Sequence, residues 1–172
     1  MKTAIIIAEY NPFHNGHAYQ LDAVRSLGFD RVAVIMSGSF VQRGEAAIAD
    51  KSVRAHAALV CGADLVAELP LPYAMATAER FAFGGVTLAN AFAEAGATLF
   101  FGSESGDIGE LERTAALLCG EAADRRIRER VMQGRSYALA RQLAVAELGG
   151  NAELLTRPND ILAVEYLRRI LL

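Results

Sequence analysis

Cysteine, long apolar runs and surplus charge are all scarce in this 172-residue chain, and each scarcity removes a class of explanation. Its two cysteines, Cys61 and Cys119, stand near the ends of alanine- and leucine-rich helical stretches, with nothing resembling a Cys-x-x-Cys pair. Buried free thiols are therefore expected, and a zinc site is not. The apolar stretches at 3–8 and 31–36 are too short to span a bilayer, and no charged segment followed by an apolar one opens the chain. No membrane partner is expected, and the cytoplasm is the expected compartment. A net charge of −3 argues against strong nonspecific binding to nucleic acid. Arginines do gather at Arg125, Arg126, Arg128, Arg130 and Arg135. Interleaved with Glu121, Asp124 and Glu129, they read first as a solvated helix face and only second as a contact for an RNA backbone. The apolar content of 53% with 22% charged residues is that of an ordinary globular protein, long enough to form one domain with a full core.

Short apolar runs alternate with longer amphipathic stretches, the pattern of βαβ units and a parallel sheet. Strands are predicted at 3–8, 31–36, 64–68 and 98–101, the first flatly apolar as for a strand buried on both faces. Helices are predicted at 16–27, stopped by Gly28, at 51–60, stopped by Gly62, and at 77–95. Pro70 closes the third strand. From Gly106 onward only helices are expected, at 109–119, 122–133, 136–148 and 159–171. Right-handed crossovers then give a doubly wound, Rossmann-like α/β sheet in order 3-2-1-4, with extra C-terminal helices. Its switch point falls between strands one and four, where ligands of such sheets bind. No strand-like run follows Phe101, so strand four is expected to stand at an edge.

Three histidines occur in the chain, and two of them, His14 and His17, fall within the four residues His14-Asn-Gly-His17 directly after the first strand. A strand that empties through a glycine turn into a helix presents backbone donors to phosphate. Two imidazoles there can neutralise or protonate phosphate oxygens as charge builds on a leaving pyrophosphate. Asn15 is expected to cap the helix beginning at Gly16, and Phe13 to pack the turn onto the sheet.

The string Ile7-Ala-Glu-Tyr-Asn-Pro-Phe-His-Asn-Gly-His17 resembles the His-x-Gly-His nucleotidyltransferase superfamily, and within it the bacterial tRNA(Met) cytidine acetate ligases. Further matching strings are Met36-Ser-Gly-Ser-Phe-Val-Gln-Arg-Gly-Glu45, Asp50-Lys51, Gly62-Ala-Asp-Leu-Val-Ala-Glu-Leu-Pro70, Phe101-Gly-Ser-Glu-Ser-Gly-Asp107 and Pro158-Asn-Asp-Ile-Leu162. The resemblance implies ATP as substrate together with Mg2+, acetate as second substrate, and tRNA(Met) as the acceptor for the full-length enzyme. It implies catalytic roles for His14 and His17. ATP contacts are implied along Ile7, Ala8, Glu9, Tyr10, Asn11, Pro12, Phe13, His14, Asn15, Gly16, His17, Ala18, Tyr19 and Gln20, and at Gly102 and Asn159. No protein-held metal site is expected, and homo-oligomerisation stays open. Family members are much longer, so residues 1–172 are expected to be an N-terminal ATP-binding domain, truncated at its C-terminal end and inactive toward tRNA alone.

Several residues keep two readings. Gly102 suits close approach of a nucleoside, or is a plain strand-to-loop glycine. Asn159 can donate and accept at once, or belongs to ordinary Pro-Asn helix-start chemistry. Gln42, Arg43 and Lys51 could hold a carboxylate or phosphate, or lie in a surface loop beside a helix capped by Asp50. Glu104 and Asp107 could face a triphosphate-bound metal, with helix capping the favoured role for Asp107. The leading functional reading is adenylation of a small carboxylate. An adenylyltransferase acting on a phosphorylated metabolite, or a nucleotide-binding module without turnover, would use the same motif.

Overall fold

The computed structural model describes residues 2–92 and 96–172, which fall into two compact units, Met1–Phe101 and Gly102–Leu172. In the first, strands β1 (Thr3–Ala8), β2 (Arg31–Ser37), β3 (Leu65–Leu69) and β4 (Thr98–Phe100) form a parallel sheet in the order β3-β2-β1-β4. This is the expected order, and each expected strand lies within one residue of its predicted bounds. The reason is periodicity: β1 is buried on both faces, so its sequence is continuously apolar. Among the described residues β1 is the only strand paired with β4, which therefore stands at the sheet edge.

Helix α1 (Asn15–Ser26) and α2 (Lys51–Val60) cover one face, where Leu21, Val24 and Ala58 meet Ala4, Ile6, Val32, Val34 and Met36. Gly28 and Gly62, both at positive φ, stop these helices where expected. On the other face lies α4 (Ala78–Phe92), so close that a Cβ on Gly85 would come within 2.7 Å of Ile7 Cδ1. Residues 93–95 of the predicted fourth-strand crossover helix lie outside the described residues. A short helix α3 (Leu71–Ala74), entered through Pro70, was not expected. Pro70 is its N-cap, and the proline within its first turn is Pro72, where a missing N–H costs nothing.

The second unit is helical, as predicted: α5 (Ile108–Leu118), α6 (Glu121–Met132), α7 (Tyr137–Glu147) and α8 (Pro158–Leu171), with a 3-10 turn at Ala152–Thr156. Helix α5 packs on α8 and α6 on α7. A buried ion pair of Arg141 with Glu165 joins α7 to α8, and Arg168 Nη1 adds a second bond to Glu165 at 2.8 Å. Cys61 and Cys119 are free thiols, each half-buried rather than fully buried, and each is the C-cap of its helix.

Candidate functional site

The turn between β1 and α1 is organised by its two histidines. His14, not Asn15, is the N-cap: its Nδ1 accepts from Gly16 N at 3.1 Å. In return His17 Nδ1 accepts from His14 N at 3.2 Å, closing a reciprocal capping box. An imidazole Nδ1 occupies nearly the place of an asparagine side-chain oxygen, so histidine can take the cap that Asn15 was expected to supply. With both Nδ1 atoms accepting backbone protons, each ring carries its own proton on Nε2. Both Nε2–H groups are thus left as donors. The rings stack with centroids 3.7 Å apart and 21° between planes. Gly16 leaves room for this stack, since a Cβ there would sit 3.0 Å from His14 Cε1 and crowd the ring.

Aromatic packing fixes His17 from the other side. Tyr10 and Phe13 lie 4.7 and 5.5 Å from its ring centroid, and Phe13 packs on the core as expected. Burial, reinforced by the neighbouring His14 ring, pulls the His17 pKa down to about 4, so it is neutral at pH 7. Tyr10 adopts the left-handed conformation (φ 50°) and its phenol is buried, which raises its pKa. The Asn11–Pro12 peptide is cis. Ile7 turns into the core against α4, while Ala8 and Glu9 are half-buried. Ala18, Tyr19 and Gln20 form the first turns of α1, with Tyr19 the most exposed.

The turn is tied to the loop after β2. Glu9 Oε1 accepts from Gln42 N at 2.7 Å, and Asn11 Oδ1 accepts from Ile48 N at 2.7 Å. Asp50 caps α2 through Ser52 N at 2.8 Å, and Lys51 pairs with Glu68 at 2.6 Å, both groups about half exposed. Lys51 therefore has an acidic partner within its own unit, and Gln42 is engaged through its backbone. The Arg43 side chain lies outside what is described. Arg54 was missed by sequence reasoning. It is buried to 1% exposure and donates to the carbonyls of Glu9 (2.7 Å), Ser37 (3.1 Å), Ala49 (3.0 Å) and Gly38. Its signal was available: a charged residue four positions before Ala58, on the buried face of α2.

In the second unit Gly102 has open space: among the described residues, no atom beyond its own and its chain neighbours' lies within 4 Å of an added Cβ. Protein packing therefore does not demand glycine there. Glu104 caps α8, accepting from Asn159 N (3.1 Å), Asn159 Nδ2 (3.0 Å) and Asp160 N (2.8 Å). Asp107 caps α5 through Glu110 N at 3.1 Å, its favoured role. Asp160, also missed, is fully buried and accepts from Ser103 Oγ, Ser105 N and Ser105 Oγ. Burial would raise its pKa, but these bonds outweigh it and hold the carboxyl below the usual range. The matching strings around Ser103 and Asn159 thus interlock across more than fifty residues of sequence. On α6, Arg126 and Arg130 pair with Glu147, in keeping with a solvated, salt-bridged helix face.

A parallel 3-2-1-4 sheet whose first strand ends in a His-x-Gly-His helix cap is the arrangement of a nucleotidyl transferase. The chain belongs to the HIGH Nucleotidyl Transferase family, whose profile matches residues 1–171. More particularly, it is 49% identical over 176 residues to the tRNA(Met) cytidine acetate ligase of Syntrophotalea carbinolica, covering 99% of this chain and 42% of that protein. It is 43% identical to the tRNA(Met) cytidine acetate ligase of Caldanaerobacter subterraneus subsp. tengcongensis, over 99% and 44%. The crystal structure of Thermotoga maritima TmcAL bound with alpha-thio ATP matches with a TM-score of 0.89 at 40% identity, covering 99% of this chain and 44% of that one. Its apo form I matches at 0.90, also 40% identical, over 99% and 43%. The chain spans less than half the length of these relatives. Among the described residues no helix is long and apolar enough to cross a membrane.

Proposed function

We propose that residues 1–172 act as the ATP-binding domain of a tRNA(Met) cytidine acetate ligase, activating acetate as acetyl-adenylate. The observation that carries this reading is the reciprocal histidine cap. It leaves two Nε2–H donors and the amino terminus of α1 beside one glycine, a set of donors suited to a triphosphate. An acetate oxygen attacks the α-phosphorus, the bond from that phosphorus to the bridging oxygen breaks, and pyrophosphate leaves with its electron pair. His14 and His17 donate to the phosphate oxygens on which charge grows. Acetate is already ionised at neutral pH, so this step needs no general base. The wobble cytidine's exocyclic amine then attacks the acetyl carbon, losing a proton to solvent as AMP departs.

Glu9 to Gln20 would surround the phosphates. Gly102 and Asn159 enter this reading through their match to the family's nucleoside contacts. Mg2+ would come with ATP, while both oxygens of Glu104 and Oδ1 of Asp107 serve as helix caps. Calorimetry with a nonhydrolysable ATP analogue tests the site, with binding at a one-to-one ratio expected. Supplying ATP and radiolabelled acetate to a full-length relative carrying this domain tests the chemistry. Acetyl-adenylate by mass analysis supports the reading, whereas a dinucleotide-like product from a phosphorylated metabolite would replace it.

A further inference from the structure

Arg54 is a cation placed almost wholly out of water, and its surroundings are unusual for one. Its four hydrogen-bond partners are all backbone carbonyls, and among the described residues no carboxylate lies within ion-pair distance of it. Those carbonyls belong to three separate segments. Glu9 opens the histidine turn, Ser37 ends β2 with Gly38 just after it, and Ala49 precedes α2. A planar guanidinium with five N–H donors can reach oxygens in several directions at once, whereas an ammonium offers three donors from a single point. Burying so costly a group for stability alone is poor design, since apolar side chains of similar volume commonly do as well or better. What the guanidinium supplies, and an apolar group cannot, is a fixed spacing between three loops.

We infer that Arg54 is a positioning residue for the nucleotide site: through the Glu9 carbonyl it sets the histidine turn, and through Ser37 and Gly38 it couples that turn to the loop after β2. Glu9 reinforces the coupling, because its side chain holds Gln42 N while its carbonyl is held by Arg54. This inference rests on the proposed nucleotide site at the turn. The coupled loop carries Gln42, so a disturbance at Arg54 reaches both segments together.

The experiment compares Arg54→Lys and Arg54→Met with Arg141→Lys, which perturbs a buried ion pair in the other unit. Folding is checked by circular dichroism, affinity for a nonhydrolysable ATP analogue by calorimetry, and the turn by the NMR signals of the His14 and His17 Cε1–H groups. Both Arg54 variants are expected to shift the histidine signals and to weaken binding at least tenfold while folded. Arg141→Lys is expected to lower thermal stability with affinity unchanged. Arg54→Met that is folded, with histidine signals unmoved and affinity within twofold of the parent, overturns the inference. Should neither Arg54 variant fold, the Nε–H signal of Arg54 in the unaltered protein decides: it shifts when the analogue is added, or the inference is wrong. Failure of the parent to bind the analogue strikes the nucleotide reading instead. The histidine signals in Arg54→Lys still judge the positioning claim.

Discussion

Replacing both histidines by alanine removes two things at once, the helix cap and the Nε2–H donors, and a cap-preserving pair separates them. Asparagine at position 14 is a preferred N-cap whose side-chain oxygen can accept from Gly16 N. Glutamine at position 17 is the usual N3 partner and can reach back to His14's backbone N–H. His14→Asn/His17→Gln therefore keeps the reciprocal box seen at 3.1 and 3.2 Å and replaces both imidazole Nε2–H donors by amide N–H groups at other positions on the side chain. Each lost hydrogen bond to an anionic phosphate oxygen costs about 1.5 kcal/mol or more, so the pair should weaken binding by about 100-fold or more. Bonds that strengthen as pyrophosphate leaves are worth about 3 kcal/mol each, near a hundredfold per histidine in turnover. Thermal stability should stay close to the parent. His14→Ala/His17→Ala should lose the same function and in addition about 1–2 kcal/mol of stability from the missing cap. Calorimetry with the ATP analogue, pyrophosphate-release kinetics in a full-length relative and thermal denaturation together make the measurement. If the Asn/Gln pair binds and turns over like the parent, the histidines serve only as caps and the assignment of phosphate donors to them is wrong.

His17 should also make stability depend on pH. Its pKa is about 4 folded against 6.5 unfolded, so between those values the unfolded chain binds more protons. The contribution is whole above pH 6.5 and falls away as pH drops toward 4, by about 2 kcal/mol once partial exposure is discounted. Urea titrations at pH 7 and pH 4.5, with His17→Gln as reference, measure it, and equal pH slopes for both proteins would refute it. Gly16→Ala should leave stability almost unchanged, because alanine gains about 1 kcal/mol in a helix while the crowded His14 ring loses its cap. Its analogue affinity should nonetheless drop several-fold, and unaltered affinity would show that the ring's position does not matter. Arg141→Met removes from Glu165, buried in the second unit, one of the two arginines it pairs with among the described residues. A loss of about 3 kcal/mol in chemical denaturation is expected, and a loss under 1 kcal/mol would mean the pair is not doing the holding.

The sheet was readable from sequence because its order follows from few facts. Four apolar runs of strand length, separated by amphipathic stretches, leave a right-handed doubly wound sheet as the economical arrangement. The glycine stops at Gly28 and Gly62 were readable for a similar reason, since both need positive φ. Helix α3 was not, because it is a single turn and Pro72 in its first turn reads equally as a helix start and as a loop residue.

The site divides along the same line between local and long-range chemistry. The histidine turn is visible in four consecutive residues, yet its internal bonding was misread, because cap preferences rank Asn above a residue whose Nδ1 does the same work. Arg54, Asp160 and Glu104 act across 45, 57 and 55 residues respectively, so no local window pairs them with their partners. What the sequence did carry was a mismatch: Arg54 on the apolar stripe of α2, and Asp160 beside the apolar residues of α8. A charge at a core position is expensive unless something far along the chain meets it. Such mismatches, read beside glycine-histidine turns rather than after them, point to buried polar side chains that tie together segments distant in sequence.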